Sequence, residues 1–180
     1  MVKLGAKELR VSEPTREDLK KIKRREIYII CDNVLDTYNI GSIFRLADAL
    51  GVKCVYLCGQ SETPPNPRIA KASVGTDKWV RWKYASSAKE AISKIKNQIS
   101  KIKIIAIEQG EKSVDFRKAD YQEPIAFVVG NETEGISQEA LKLCDQIVVI
   151  PMFGVNRSLN VMVSLAIVLY SSLDNVPSSF

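Results

Sequence analysis

The polar residues best placed for chemistry stand beside the most apolar stretch of the chain. Residues 146–173 read QIVVIPMFGVNRSLNVMVSLAIVLYSSL. The β-branched run Ile147 to Ile150 has the length of a buried strand, and Pro151 forbids its continuation as an ordinary ladder. A loop with Gly154 and Asn156 follows, and Ser158 stands where a helix cap is expected. From Leu159 to Tyr170 the chain is almost all apolar, with Leu159, Met162, Ala166, Leu169 and Tyr170 at helical spacing. Such a helix must be buried against a sheet, a second subunit or both. Its first turn nevertheless carries Arg157, Ser158 and Asn160. A strand, a turn and a capped core helix would explain the pattern structurally, but the turn is longer and more polar than packing requires. A second polar-then-apolar segment, nearer the N-terminus, carries Arg45.

The chain has no histidine. That removes Ser-His-Asp and Cys-His nucleophile chemistry, removes the usual general base, and argues against a zinc or iron site. Any activity must rest on Arg, Glu, Ser, Asn, backbone groups or a cofactor.

The elements that would position these groups alternate between strand and helix. Ile27 to Cys31 reads as a first strand, followed by a polar loop from Asp32 to Asn39 and a helix opened by Gly41 and Ser42 and closed by Gly51. Lys53 to Cys58 is a second strand, and three prolines, Pro64, Pro65 and Pro67, stiffen the loop after it. Arg68 to Ser73 reads as a short helix or turn, and Trp79 to Tyr84 as a strand alternating aromatic and basic residues. Ser86 or Ser87 caps a helix to about Ile99. Strands at Lys103–Glu108 and Ile125–Val129 flank a charged excursion, and a helix of one or two turns starts at Ser137 or Gln138. No internal repeat or low-complexity tract is present. This order argues an α/β fold, a mainly parallel sheet with helices on both faces. Function in such sheets sits at the carboxyl ends of strands, where loops around Asn39, Glu108, Gly130 and Pro151 fall. No GxGxxG or GxxxxGK[ST] is present, so dinucleotide and P-loop readings are weak.

At 180 residues and 46% apolar composition, the chain suffices for one domain with a proper core. The N-terminus lacks an apolar signal region, and no apolar run is long enough to span a bilayer. Cys31, Cys54, Cys58 and Cys144 lie in or beside strand-like runs, as buried free thiols of a reducing cytoplasm do. The net charge of +5 is unevenly spread: residues 1–26 hold nine basic and five acidic side chains, and residues 68–103 hold ten and two. Localised positive charge suits a polyanion, nucleic acid first.

Three segments in order, NIGSIFRLADALG (39–51), IAFVVGNETEGIS (125–137) and IPMFGVNRSLNVMVSLAIVLY (150–170), give the chain a resemblance to the SpoU (TrmH-like) RNA ribose methyltransferases of the SPOUT superfamily. RIAKASVGTDKWV and AIEQGEKSVDF also look like family sequence, so the likeness covers about residues 25–172. It implies an α/β domain of SPOUT type over 25–173 with a C-terminal deep trefoil knot, a basic arm at 1–24 and a short tail at 174–180. It implies a homodimer that moves a methyl group from S-adenosylmethionine to a ribose 2′-hydroxyl of RNA, without metal or membrane. By motif position, Asn39, Arg45, Glu132, Ser158 and Asn160 correspond to the polar active-site set. Ile107, Glu108, Gln109, Val129, Gly130, Asn131, Ile150, Met152, Ser158 and Leu159 correspond to the cofactor cleft.

Residue chemistry is consistent with that assignment. A methylsulfonium donor is already electrophilic, so the protein must mainly position the acceptor and handle its proton. Arginine is not normally deprotonated, so Arg45 is read first as a clamp for the neighbouring phosphate and the developing oxyanion. Glu132 serves either chemistry or loop hydrogen bonding, and Ser158 and Asn160 serve either the site or the helix cap. Met162 stands where many relatives carry a small polar residue. Phosphate contacts are expected from Lys20, Lys21, Lys23, Arg24, Arg25, Arg68, Lys71, Lys78, Arg81, Lys83 and Arg157. Trp79 or Trp82 could stack on a base or simply pack in the core. With only a short arm outside the domain, tRNA is favoured over rRNA. A non-catalytic knotted RNA-binding protein and a base-nitrogen methyltransferase are the rival readings.

Overall fold

A computed structural model describes residues 3–9 and 12–173. The tail at 174–180 lies outside the described residues. Strands β1 (Arg25–Asp32), β2 (Val52–Cys58), β3 (Trp82–Ala85), β4 (Lys103–Ile107), β5 (Val114–Asp115), β6 (Ile125–Val129) and β7 (Gln146–Val149) form one sheet in the order β3-β2-β1-β6-β4-β7-β5. Every pairing between them is parallel. The helices are α1 (Ala6–Leu9), α2 (Arg16–Lys20), α3 (Thr37–Ala49), α4 (Pro67–Ser73), α5 (Ala88–Gln98), α6 (Gln138–Leu141) and α7 (Val161–Ser171). No helix among the described residues is long and apolar enough to cross a membrane.

The side-chain period of two divides the strands between two cores. Ile27, Ile29, Cys31, Phe127 and Val129 point to the face covered by α3, α4 and α7, through Phe44, Ile69 and Leu165. Tyr28, Ile30, Ala126 and Val128 point to the opposite face, covered by α5 and α6 through Ile92, Ile95 and Ala140. Parallel strands buried on both faces read as the continuous apolar runs seen in the sequence. Cys54 and Cys58 share the second core, as their spacing predicts, and Cys31 belongs to the first.

Five local expectations are corrected. Helix α3 starts at Thr37, four residues before Gly41, because Asp36 caps it by accepting from the Tyr38 N–H at 2.8 Å. Asn39 therefore sits on the first turn of a helix and not in a loop. Asn160, not Ser158, caps α7, its Oδ1 accepting from the N–H groups of Met162 at 2.9 Å and Val163 at 3.4 Å. Trp79 follows a 3-10 turn at Thr76–Lys78, and only Trp82–Ala85 is strand, because Val74 and Gly75 adopt positive φ and turn the chain first. The charged N-terminal stretch reads in sequence as a helix from about Thr15 to Arg24, but that helix ends at Lys20. Finally, the charged excursion after β4 contains a two-residue strand, β5, which pairs with β7.

Candidate active site

The carboxyl ends of β4, β6 and β7 open into one cleft of about 470 Å³. Its apolar wall includes Ile107, Val129, Val148, Ile150 and Leu159. Its polar lining includes Glu108, Gln109, Asn131, Glu132, Ser158 and Asn160. All ten residues assigned by resemblance to the cofactor line this cleft: Ile107, Glu108, Gln109, Val129, Gly130, Asn131, Ile150, Met152, Ser158 and Leu159.

Each wall is tied to the next by a long-range polar contact. The Glu108 carboxylate, at the end of β4, accepts from the Gln109 N–H at 2.8 Å and from the Ile136 N–H at 3.0 Å. It thereby pins the loop after β6 to the end of β4. That loop is itself a tight hairpin in which Asn131 and Gly135 exchange backbone hydrogen bonds at 3.0 Å. The Asn131 side chain donates to the Asn33 carbonyl at 3.0 Å and accepts from Thr133 and Glu134 at 2.8 and 2.9 Å. At the end of β1, buried Asp32 accepts from both the N–H and the hydroxyl of Ser137, at 2.9 and 2.6 Å. On the β7 side, the Gln109 amide donates to the Arg157 carbonyl and closes the loop over the cleft.

Gly130 has a structural reason to be glycine. A Cβ there would lie 2.2 Å from the carbonyl carbon of Gly135 and 2.4 Å from the Ile136 nitrogen. The close approach it permits is that of its own hairpin.

Four of the five polar residues assigned to the active site assemble at one edge of this cleft. Glu132, Ser158 and Asn160 line it directly. Asn39, only 7% exposed, reaches it from α3. Its Oδ1 accepts from the Asn160 side chain at 2.9 Å, and its Nδ2 donates to Glu132 at 2.8 Å. The other Glu132 oxygen accepts from the Leu35 N–H at 3.4 Å. Asn39 thus orients a carboxylate, and its own orientation is set by the residue that caps α7. Arg45 is not part of this constellation: it is exposed on α3 and absent from the cleft lining.

The cleft also includes residues that the sequence reading did not select, among them Val148, Asn156, Val161 and Ser164. Ser164 was findable, because it stands four residues after Asn160 and so shares its helix face.

The basic residues assigned to RNA fall into two groups. Lys20, Lys21, Lys23, Arg68, Lys71, Lys78, Arg81, Lys83 and Arg157 are exposed. Of these, Lys78 pairs with Glu13, Lys21 lies 3.8 Å from Asp18, and Lys83 sits over the Tyr56 ring. Arg24 and Arg25 are half-buried and internally engaged. Arg24 donates to the Trp79 carbonyl at 3.5 Å and lies 3.9 Å from Asp48, while Arg25 pairs with Glu123. Burial lowers the pKa of the Arg24 guanidinium, and Asp48 opposes that shift.

The chain and its fold are similar to those of known proteins. A tRNA (guanosine(18)-2'-O)-methyltransferase of Escherichia coli strain K12 is 35% identical over 153 residues, covering 83% of this chain. This chain spans 64% of that relative's length. The crystal structure of the Aquifex aeolicus TrmH/SpoU tRNA modifying enzyme superimposes with a TM-score of 0.76 at 31% identity, covering 93% of this chain and 80% of that one. The SpoU methyltransferase AviRb of Streptomyces viridochromogenes, in complex with AdoMet, also gives 0.76, at 28% identity, covering 89% and 65%. A family model, the SpoU rRNA Methylase family, matches residues 26–170, and the chain belongs to that family.

Proposed function

We propose that this chain is an RNA ribose methyltransferase that uses S-adenosylmethionine to methylate a 2′-hydroxyl of tRNA. The observation that carries the reading is the convergence of Asn160, Asn39 and Glu132 beside the cleft at the ends of β4, β6 and β7. The E. coli relative, named for guanosine 18 of tRNA, supports tRNA as the substrate and guanosine as the nucleotide. The AviRb neighbour, crystallised with AdoMet, supports the cofactor.

The cleft residues fit such a cofactor. Ile107, Val129, Ile150 and Leu159 offer an apolar slot for an adenine ring, and Glu108, Gln109, Asn131 and Ser158 offer hydrogen-bonding groups around it. When the cofactor is bound, the chemistry supplied there is an electrophilic methyl on a sulfonium centre. This chain's task is to deliver the ribose and disperse the charge that develops on its oxygen. Asn160 and Asn39 hold Glu132 in one orientation at the cleft edge, where its carboxylate can accept a hydrogen bond from the ribose hydroxyl. Arg45, exposed on the helix that bears Asn39, binds a phosphate of the incoming RNA and so fixes the ribose.

The reading includes a cytoplasmic homodimer and a C-terminal trefoil knot. Phe153 and Val155 are essentially fully exposed, at 96% and 102%, and Leu159, Val163 and Tyr170 extend the same apolar surface along α7. A second copy of the chain covers it. The knot is supported by the family match and by the position of β7 between β4 and β5, both laid down earlier. Four free thiols, three of them buried, suit a reducing compartment.

Transfer of labelled methyl from S-adenosylmethionine to unmodified tRNA, with 23S rRNA in parallel, tests the substrate. Label entering tRNA supports the reading. Label entering rRNA alone would favour the rRNA activity that the family's name describes.

A further inference from the structure

A second groove lies at the β3 edge of the sheet, away from the cleft, between α4 and β3. Pro64, Pro65 and Pro67 form one wall, Ala70 and Lys78 extend it, and Trp82 closes it around about 640 Å³. The two tryptophans differ in situation. Trp79 donates its indole N–H to Asp48 at 2.8 Å and is thereby fixed in the fold. Trp82 rests against the core, yet borders the groove, and its indole has no hydrogen-bond partner among the described residues. Proline walls lose little conformational freedom on binding, so the groove is preformed.

The rim identifies the class of occupant. Arg68 and Lys71 are exposed on α4, and Lys78, which lines the groove, pairs with Glu13. Lys83 is turned to the other face of β3, over the Tyr56 ring. Asp77, the one acidic residue between 63 and 85, also lines the groove, but it is buried and its carboxylate accepts from the Ser73 hydroxyl. An apolar slot with an aromatic floor and a cationic rim suits a flat base carrying phosphates on either side. A proline-rich peptide would match the walls but leave the rim charge unanswered.

We infer that the Pro64–Trp82 groove holds an unpaired base of the RNA substrate, stacked on Trp82, with its phosphates on Arg68 and Lys71. The inference rests on the RNA-methyltransferase reading above. β3 is three strands from β6 and five from β7 in the sheet order. At the usual strand spacing that places the groove about 14–24 Å from the cleft. The groove therefore contributes to RNA affinity and not to cofactor binding.

The test is to measure dissociation constants of the full chain for an unmodified tRNA transcript and, separately, for S-adenosylmethionine. Trp82→Ala is expected to weaken RNA binding by about 5- to 150-fold, the range of one stacked base. Trp82→Phe should retain most of the affinity. Because Trp82 also packs on the core, Ala70→Gln, which fills the groove without removing the indole, should weaken RNA binding as well. Cofactor affinity should stay at the wild-type value in all three, and 5-iodouridine in the RNA should photo-cross-link to Trp82. Wild-type RNA affinity in both Trp82→Ala and Ala70→Gln would overturn the inference. So would a change in sedimentation of these variants with RNA binding intact, which would assign the groove to a second copy. A wild-type chain that binds no RNA at all would instead overturn the reading on which the inference stands.

Discussion

The side-chain amide of Asn160 donates to Asn39 Oδ1 at 2.9 Å across 121 residues of sequence. That one bond joins the cap of α7 to the first turn of α3 and, through Asn39, to Glu132. The candidate site is therefore held by side chains from three separate segments, none of which could orient the carboxylate alone.

Replacing Asn39 by Ala leaves Glu132 without its side-chain donor and Asn160 without its acceptor. A hydrogen bond to a charged group contributes about 1.5–3 kcal/mol, so kcat should fall about 10- to 100-fold. The S-adenosylmethionine dissociation constant should change little, because Asn39 does not line the cleft. Steady-state kinetics with tRNA checks this; wild-type kcat would show that the Glu132 orientation is irrelevant to transfer.

Arg45 lies outside the cleft and is exposed. Arg45→Ala is expected to leave cofactor binding nearly intact while reducing transfer by about two orders of magnitude or more, the scale of a lost charge-stabilising donor. Equilibrium dialysis with the cofactor, paired with a transfer assay, separates the two effects. A collapse of cofactor affinity would place Arg45 in the cleft after all.

Gly130→Ala forces a methyl group to within 2.2 Å of the Gly135 backbone, where no flexible side chain can give way. Overpacking of this kind costs about 1–3 kcal/mol. It should lower the thermal midpoint by several degrees, about 2–4 °C for each kcal/mol. It should also weaken cofactor binding, because the hairpin it displaces is a wall of the cleft. A variant that melts and binds like wild type would mean that the hairpin is not rigid.

Burial pushes the thiols of Cys54, Cys58 and Cys144 up to about 11, 12 and 12, and that of Cys31 well above the ordinary value of 9.0. In the native chain near pH 8, fewer than about one in 1,000 of these thiols is thiolate, so labelling by a thiol reagent should be slow until the chain unfolds. The same shifts set an alkaline limit. Above about pH 9 unfolded thiols release protons while folded ones keep them, so stability falls with rising pH until about 11–12. The slope is about 1.4 kcal/mol per thiol per pH unit. Denaturant midpoints from pH 7 to 11 measure this. A midpoint that is flat from pH 9 to 11 would contradict the burial of these thiols.

The walls of the cleft were legible in sequence because short apolar runs ended by Gly, Asn or Pro mark strand ends, and strand ends are where α/β sheets place their sites. The strand order was not legible. A last strand inserted between β4 and β5 violates the preference for sequential neighbours, so local pattern cannot reveal it. The clasp of Glu108 on Ile136 is likewise invisible locally, since it spans 28 residues. Ser158 and Asn160 are both good caps, and only tertiary placement, with Asn160 reaching Asn39, decides between them. Alternation put Trp79 and Trp82 on opposite faces of one strand, but Trp79 precedes that strand, because the positive φ values at Val74 and Gly75 that turn the chain before it leave only a weak trace in sequence.

The most direct measurement is the identity of the nucleoside produced when the chain, S-adenosylmethionine and an unmodified tRNA transcript are incubated, digested to nucleosides and resolved by mass. The account predicts 2′-O-methylguanosine, formed more slowly by Asn39→Ala and Arg45→Ala. A base-methylated nucleoside, or no product from a chain that also fails to bind the cofactor, would contradict it.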